Sequence, residues 1–225
     1  MTFPDLDSLQ QEIHTLVELD ADTPESTDGD YTIRTTLANK WIRHWEGEDG
    51  MLWNELWKTG SFTSTGATSY LLSSQSITDL RRPGGYVYDD LNNLWSVLRK
   101  EDIALMKNSD SYYCYFTGDE HVGFTLYFGD YYPATGRTIY IPYFKKATTL
   151  TTGSTKPEMS DPYYIVYGVA SDLKSSEDPG ESDKFFQLAQ KSLRDMKIRN
   201  LQVPPYMNNQ IADRHAMIGK GGFGV

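Results

Sequence analysis

The hydrophobic period of the chain changes twice, from helical to strand-like near Gly60 and back to helical after Leu150. Such an order predicts an α+β protein in which an antiparallel β-domain is inserted between helices. From Leu6 to Leu19, Leu6, Leu9, Ile13, Leu16 and Val17 recur at three- and four-residue steps, the spacing of one helical stripe. Asp20 to Asp30 is acidic, contains Pro24 and Gly29 and reads as a loop. Asp28 or Asp30 can cap a second helix from Tyr31 to Glu46, with the stripe Leu37, Ala38, Trp41, Ile42 and Trp45, ending before Gly47 and Gly50. Met51 to Lys58 repeats helical spacing through Leu52, Trp53, Leu56 and Trp57.

Beyond Gly60 the runs shorten and become rich in β-branched and aromatic residues: 69–73, 75–80, 94–98, 111–117, 123–128 and 138–145. Pro83-Gly84-Gly85, Gly118-Asp119 and Pro133 to Gly136 separate them. In the last run apolar residues occupy both parities, which predicts a strand covered on both faces or placed in an interface. Most of the 16 tyrosines fall between Tyr70 and Tyr167. Asp161-Pro162 then signals a helix with Ile165, Val169 and Leu173 on one face. Asp178-Pro179-Gly180 reads as a turn. Glu181 to Asn200 is expected to be a long helix with Phe186, Ala189, Leu193 and Met196 inward and Lys184, Lys191, Arg194 and Lys197 outward. The expected divisions are residues 1–60 and 151–200, forming a helical bundle, 61–150, forming the β-domain, and 201–225, an extended tail.

Charge narrows the function. Lys plus Arg is 21 against 31 for Asp plus Glu, a net of -10, which removes any general attraction to nucleic-acid phosphates or anionic membranes. Residues 1–60 alone hold 13 acidic and 4 basic residues. One cysteine, Cys114, can form no internal disulfide, and Tyr112 to Phe116 around it reads as a buried strand with an inert thiol. Met1 to Asp5 does not read as a secretory signal, so assembly in the cytosol is expected, with no membrane association.

Candidate motifs yield to plainer readings. Gly219 to Gly224 has the letters of a dinucleotide loop but opens no helix. His44, Glu46, Glu48 and Asp49 suggest a metal cluster, yet sit where a solvated helix end is expected. Asp20 to Glu25 begins like a calcium loop, but Glu25 stands at its obligatory glycine. Asp119, Glu120 and His121 fit a hairpin tip. Trp41, Trp45, Trp53 and Trp57 share apolar stripes and so read as packing residues rather than a sugar platform. No catalytic, metal or cofactor residue is assigned.

The segment Leu37-Ala38-Asn39-Lys40-Trp41-Ile42-Arg43-His44-Trp45-Glu46, followed by Leu52 to Trp57, resembles the first helices of head-tail connector adaptor proteins of tailed bacteriophages, the tail tubular protein A group. Thr138 to Leu150 is similar to that group's last strand and its threonine-leucine exit, Pro157 to Ala170 to the following helix, and Ser182 to Asn200 to the closing helix. The resemblance implies a non-enzymatic virion protein of the neck, assembled in the host cytoplasm. Its subunits, twelve in number, form a ring that joins the portal protein to a downstream tail or neck protein and continues the channel through which DNA passes without specific binding. The spaced apolar residues of the tail, Tyr206, Met207, Ile211, Met217, Ile218 and Phe223, are the expected portal-docking anchors. Arg81, Arg82, Lys145 and Lys146, set against the acidic first 60 residues, are the expected subunit interface. Other readings are a head-completion, stopper or tail-terminator protein, a β-rich receptor- or carbohydrate-binding module using Tyr and Trp, and a hydrolase using Asp119 to His121.

Overall fold

The computed structural model describes residues 5–17, 24–106 and 111–202. In chain order the elements are helices α1 (Leu6–Val17) and α2 (Gly29–Gly47), strands β1 (Trp57–Thr63), β2 (Ser69–Leu71), β3 (Leu80–Pro83), β4 (Tyr86–Asp89) and β5 (Leu94–Val97), the single turn α3 (Ile103–Met106), strands β6 (Tyr113–Asp119), β7 (Gly123–Phe128) and β8 (Thr138–Lys145), and helices α4 (Tyr163–Lys174) and α5 (Pro179–Gln202). The protein is α+β and divides into two compact units, one of residues up to Glu55 and from Ala147 onward, the other Leu56–Lys146.

In the helical unit α1 is capped at both levels: Asp5 accepts from Ser8 N–H at 3.0 Å, and Thr155 and Gly153 carbonyls accept from Leu6 and Asp7. Leu6, Leu9 and Ile13 are buried as their spacing requires. Asp28 stands at the N-cap position of α2, which starts at Gly29 rather than Tyr31, but its carboxylate accepts from Glu25 N–H at 2.8 Å instead of capping the helix. Asp161 accepts from Tyr163 N–H at 3.2 Å at the start of α4. Pro179-Gly180, expected as a turn, forms the first turn of α5, because Asp178 accepts from Glu181 N–H at 3.0 Å and proline at a first helical position gives up no bond.

Helices α4 and α5 approach closely through small residues. Ser171 Oγ donates to the Ser182 carbonyl at 3.0 Å and Ser182 Oγ returns a bond to the Ser171 carbonyl at 2.9 Å. Ala189, Leu193 and Met196 are buried, whereas Phe186, expected inward, is 46% exposed and touches Trp41 only at 6.4 Å between ring centroids. Leu201 and Gln202 continue α5 where an extended tail was expected.

Residues 51–58 are not the helix their spacing suggests. Asp49 and Gly50 take left-handed conformations (φ 44° and 66°) that end the helical path, a single 3-10 turn follows at Asn54–Leu56, and Trp57 opens β1. Trp53 stacks on Trp45 at 5.1 Å and donates its indole N–H to the Trp45 carbonyl at 2.7 Å.

The β-unit is one eight-stranded sheet ordered β1-β8-β4-β5-β6-β7-β2, with β3 also on β8. It is mixed, not wholly antiparallel: β5 and β6 run parallel, joined by the longer connection that contains α3. Phe62 on β1 and Tyr70 on β2, at the two ends of that order, meet at 4.7 Å, so the sheet curls on itself. One face encloses a core that includes Phe62, Trp95, Cys114, Leu126, Ile139 and Ile141. Of residues 75–80, expected as a strand, only Leu80 joins the sheet, at the start of β3: Ser76 at φ 61° closes a 3-10 turn, and Ile77 then enters the core. Strand β4 was hidden by its brevity and by the neighbouring glycines, and β1 by the helical spacing of its first residue and by Gly60 within it.

Candidate functional site

The two passages of the chain out of and back into the helical unit are each fastened there by an asparagine. Asn39 on α2 receives Leu150 N–H at 2.8 Å and donates to the Leu150 carbonyl at 2.9 Å, while Glu46 accepts from Ala147 N–H at 3.1 Å. Asn200 on α5 accepts from Asn54 N–H at 2.9 Å and donates to the Leu52 carbonyl at 3.0 Å. Amide side chains can offer a donor and an acceptor to the same stretch of backbone, which is what an irregular crossing requires. Sequence reading passed over both residues, since a lone Asn in a helix has no spacing signature.

Between α2, α4 and α5 lies a polar lattice. Trp41 Nε1 donates to Asp172 at 2.8 Å, beside Lys40 at 2.9 Å. His44 Nδ1 meets the Tyr164 hydroxyl at 2.9 Å and stands 3.7 Å from Glu48. Lys197 reaches Glu48 at 2.7 Å and Asp49 at 2.8 Å, so it is paired rather than directed outward alone. Bonds to Asp49 and Glu48 raise the Lys197 ammonium, and Lys197 lowers the Asp49 carboxyl in return. The residues that suggested a metal cluster are thus divided between ion pairs, a tyrosine hydroxyl and the Ala147 backbone.

In the β-unit Asp119 folds over the β6–β7 hairpin tip, accepting from His121 and Val122 N–H groups at 2.8 Å, which lowers its carboxyl. Burial raises the Cys114 thiol, leaving it a core side chain. Arg81, Arg82, Lys145 and Lys146 come together where β3 pairs with the end of β8. Lys146 Nζ donates to the Glu120 carbonyl at 2.5 Å, and its backbone N–H donates to the Asp79 carbonyl at 2.7 Å. The docking residues Tyr206, Met207, Ile211, Met217, Ile218 and Phe223 lie outside the described residues.

The most distinctive surface is the outer face of the curled sheet. Because Val87, Cys114, Leu126, Ile139 and Ile141 point inward, alternation directs Tyr88, Tyr115, Tyr127 and Tyr140 outward. They stand opposite or next to one another in register: Tyr115 opposes Tyr127 with rings 5.1 Å apart and 6° from parallel, and Tyr88 opposes Tyr140 at 5.0 Å and 18°. Trp57 and Phe144, another opposed pair, meet edge to face at 4.8 Å. Thr59, Ser61, Thr63, Thr117, Thr125, Thr138 and Ser69 fill much of the rest. Tyrosine abundance was legible in the sequence; the pairing across strands depended on registers that no local pattern encodes.

No family model matches this chain, and no curated protein is similar to it. Among the described residues no helix is long and apolar enough to cross a membrane.

Proposed function

We propose that this chain is a structural virion protein without catalytic activity, one subunit of an adaptor ring that joins a phage portal to tail or neck components and continues the DNA channel. The observation that carries the reading is the architecture: a β-unit is inserted between α2 and α4 of a helical unit, the order expected of a neck adaptor. The helical unit is read as a bundle whose C-terminal extension, beyond the described residues, docks on the portal. Charge distribution supports a ring with two kinds of surface. Residues 56–146 hold nine acidic and nine basic residues, so the whole excess of ten negative charges belongs to the helical unit and its termini. DNA would slide past such a unit without being held, because like charge repels the backbone phosphates.

The test is a size measurement on the purified full-length chain mixed with a purified phage portal ring. A ring-shaped complex of about twelve copies per portal, visible by negative-stain microscopy, is expected; failure to bind the portal of the phage that encodes the chain overturns the assignment. The paired tyrosines favour a second reading, a β-rich receptor- or carbohydrate-binding module. That reading requires binding of free glycan by the isolated chain.

A further inference from the structure

Charge is spread unevenly over the helical unit. The first 33 residues hold nine acidic side chains and no lysine or arginine, whereas residues 184–199 of α5 hold five lysines and arginines and one acid, Asp195. Glu12 on α1, Glu25 before α2 and Asp30 in its first turn are exposed, and none of them has a cationic partner among the described residues. Asp7 on α1 accepts from the Tyr31 hydroxyl at 2.8 Å and Gln10 donates to the Tyr31 carbonyl at 3.2 Å, so α1 and the start of α2 present one acidic surface.

Helix α5 turns Ser182, Ala189, Ser192, Leu193 and Met196 inward. Away from them Lys184, Gln187, Lys191, Arg194, Ile198 and Leu201 follow at three- and four-residue steps, all exposed. Lys197 and Arg199 have acids within the same copy, in Glu48, Asp49 and Asp161; Lys184, Lys191 and Arg194 have none among the described residues. Each copy thus carries an unpaired basic stripe on one helix and an unpaired acidic surface on two others.

The apolar residues in the stripe decide its occupant. DNA would engage only the cations, leaving Ile198 (48% exposed), Leu201 (74%) and Leu188 (40%), which lies between Lys184 and Lys191, in water, and the rest of a chain at -10 would repel it. The acidic surface of another copy answers both features, since Ile33, 53% exposed, stands three residues from Asp30 on the same helix face. Repulsion between whole copies is screened beyond the Debye length of about 8 Å at physiological salt, whereas pairs in contact lie inside it. Two different surfaces meeting make a heterologous contact, the kind that passes from copy to copy and can close a ring.

We propose that the α5 stripe of one copy, through Lys184, Lys191, Arg194 and Ile198, packs on the acidic surface of a second copy around Glu12, Asp30 and Ile33. The proposal takes its partner from the ring reading above and adds the two surfaces that join the subunits. Exposed pairs contribute at most about 1 kcal/mol each, so the contact is weak between two free copies.

The experiment is sedimentation equilibrium of the full chain from micromolar to millimolar concentration at physiological salt. Wild type is compared with Lys191→Glu/Arg194→Glu, with Glu12→Gln/Asp30→Asn, and with the control Arg82→Glu/Arg99→Glu, which changes the net charge as much as the first pair but at exposed positions of the β-unit. Wild type and the control are expected to self-associate equally, and the α5 and acidic-surface variants at least tenfold more weakly, with unchanged circular dichroism. Mixed with each other, those two variants should form one-to-one pairs and grow no further, because each keeps the surface the other has lost. If the α5 double variant does not fold, Lys191→Glu alone is read in its place. Self-association untouched by the α5 variant overturns the assigned surfaces and leaves the ring reading standing. Wild-type association that stops at two copies overturns both. A wild type that stays monomeric to millimolar concentration overturns the proposal, and retention of that monomer on duplex DNA through Lys191 and Arg194 would assign the stripe to phosphates instead; portal binding, measured separately, still decides the ring reading.

Discussion

Replacing Gly168 by alanine sets two sizeable effects against each other. Alanine is the better helix former by about 1 kcal/mol, and Gly168 lies inside α4, so propensity alone predicts a more stable protein. Geometry predicts the reverse. A Cβ built at Gly168 lies 2.3 Å from Trp41 Cδ2, 2.4 Å from Cε2 and 2.8 Å from Cε3, so it would enter the flat face of the indole. That ring cannot easily withdraw. Its N–H is bonded to Asp172 at 2.8 Å, Tyr164 abuts it at 5.3 Å edge to face, and it is only 6% exposed. Overpacking of this kind costs about 1–3 kcal/mol, and the depth of overlap places it at the upper end, leaving a net loss of about 1–2 kcal/mol. Urea titration followed at 222 nm reports the helical unit even if the two units unfold separately. Trp41→Leu should be destabilised by itself, since truncating a buried aromatic costs a few kcal/mol, but it opens the space that the added methyl group needs. The cycle of the two substitutions should therefore show a coupling of about 1 kcal/mol or more. A Gly168→Ala protein as stable as wild type, or additive effects in the cycle, would refute the close approach of α2 and α4 at this point.

Two pH dependences arise from buried groups. Burial, with Asp7 accepting from its hydroxyl, pushes Tyr31 up to about 12, and burial likewise raises Tyr113, Tyr143 and Tyr164. Folded phenols thus keep their protons above pH 10 while unfolded ones lose them, so stability should fall between about pH 10 and 12 by about 1.4 kcal/mol per pH unit for each of Tyr31, Tyr143 and Tyr164. Absorbance at 295 nm should show Tyr31 and Tyr164 ionising only together with loss of helical signal; independent reversible ionisation of all 16 tyrosines would contradict it. Burial works against the Asp79 charge, but Lys58 at 2.7 Å and the Tyr143 hydroxyl at 2.5 Å hold its carboxyl below the ordinary value. That contribution is present above about pH 4 and is lost as pH falls through the depressed pKa. Asp79→Asn should cost about 1 kcal/mol at pH 7, since the ion pair is partly exposed, and should flatten the acid limb of a stability profile measured by urea titration.

What the sequence disclosed and what it concealed divide along a physical line. Stripes such as Leu6-Leu9-Ile13 and Ala38-Trp41-Trp45 announce themselves because a helix's buried face is fixed by spacing within the element. Trp41, legible as a packing residue, meets Gly168, Tyr164 and Asp172 on α4 and the ring of Phe186 on α5. Spacing fixes which side is buried, not what meets it. Trp57 shows the limit in another form: helical spacing in 51–58 is overridden by Asp49 and Gly50 in left-handed conformations, and the residue joins β8 opposite Phe144. The parallel β5–β6 pair and the tyrosine pairs arise from register between distant segments.

The same line separates the two halves of the functional reading. The adaptor assignment draws on order along the chain, which sequence carries, and its docking residues from Tyr206 to Phe223 lie outside the described residues. The tyrosine pairs of the β-unit, by contrast, exist only once its strands are in register. The expected interface, Arg81, Arg82, Lys145 and Lys146, is gathered at the β3–β8 end, where Arg82 is exposed and the others half-buried, and surface charges of this kind set orientation more than affinity. Charge without burial holds no ring together in salt, because exposed pairs are screened within about a Debye length. A ring held by the basic cluster alone should therefore come apart as the salt concentration is raised, and a ring that survives molar salt in sedimentation would show that apolar burial, not these four cations, joins its subunits.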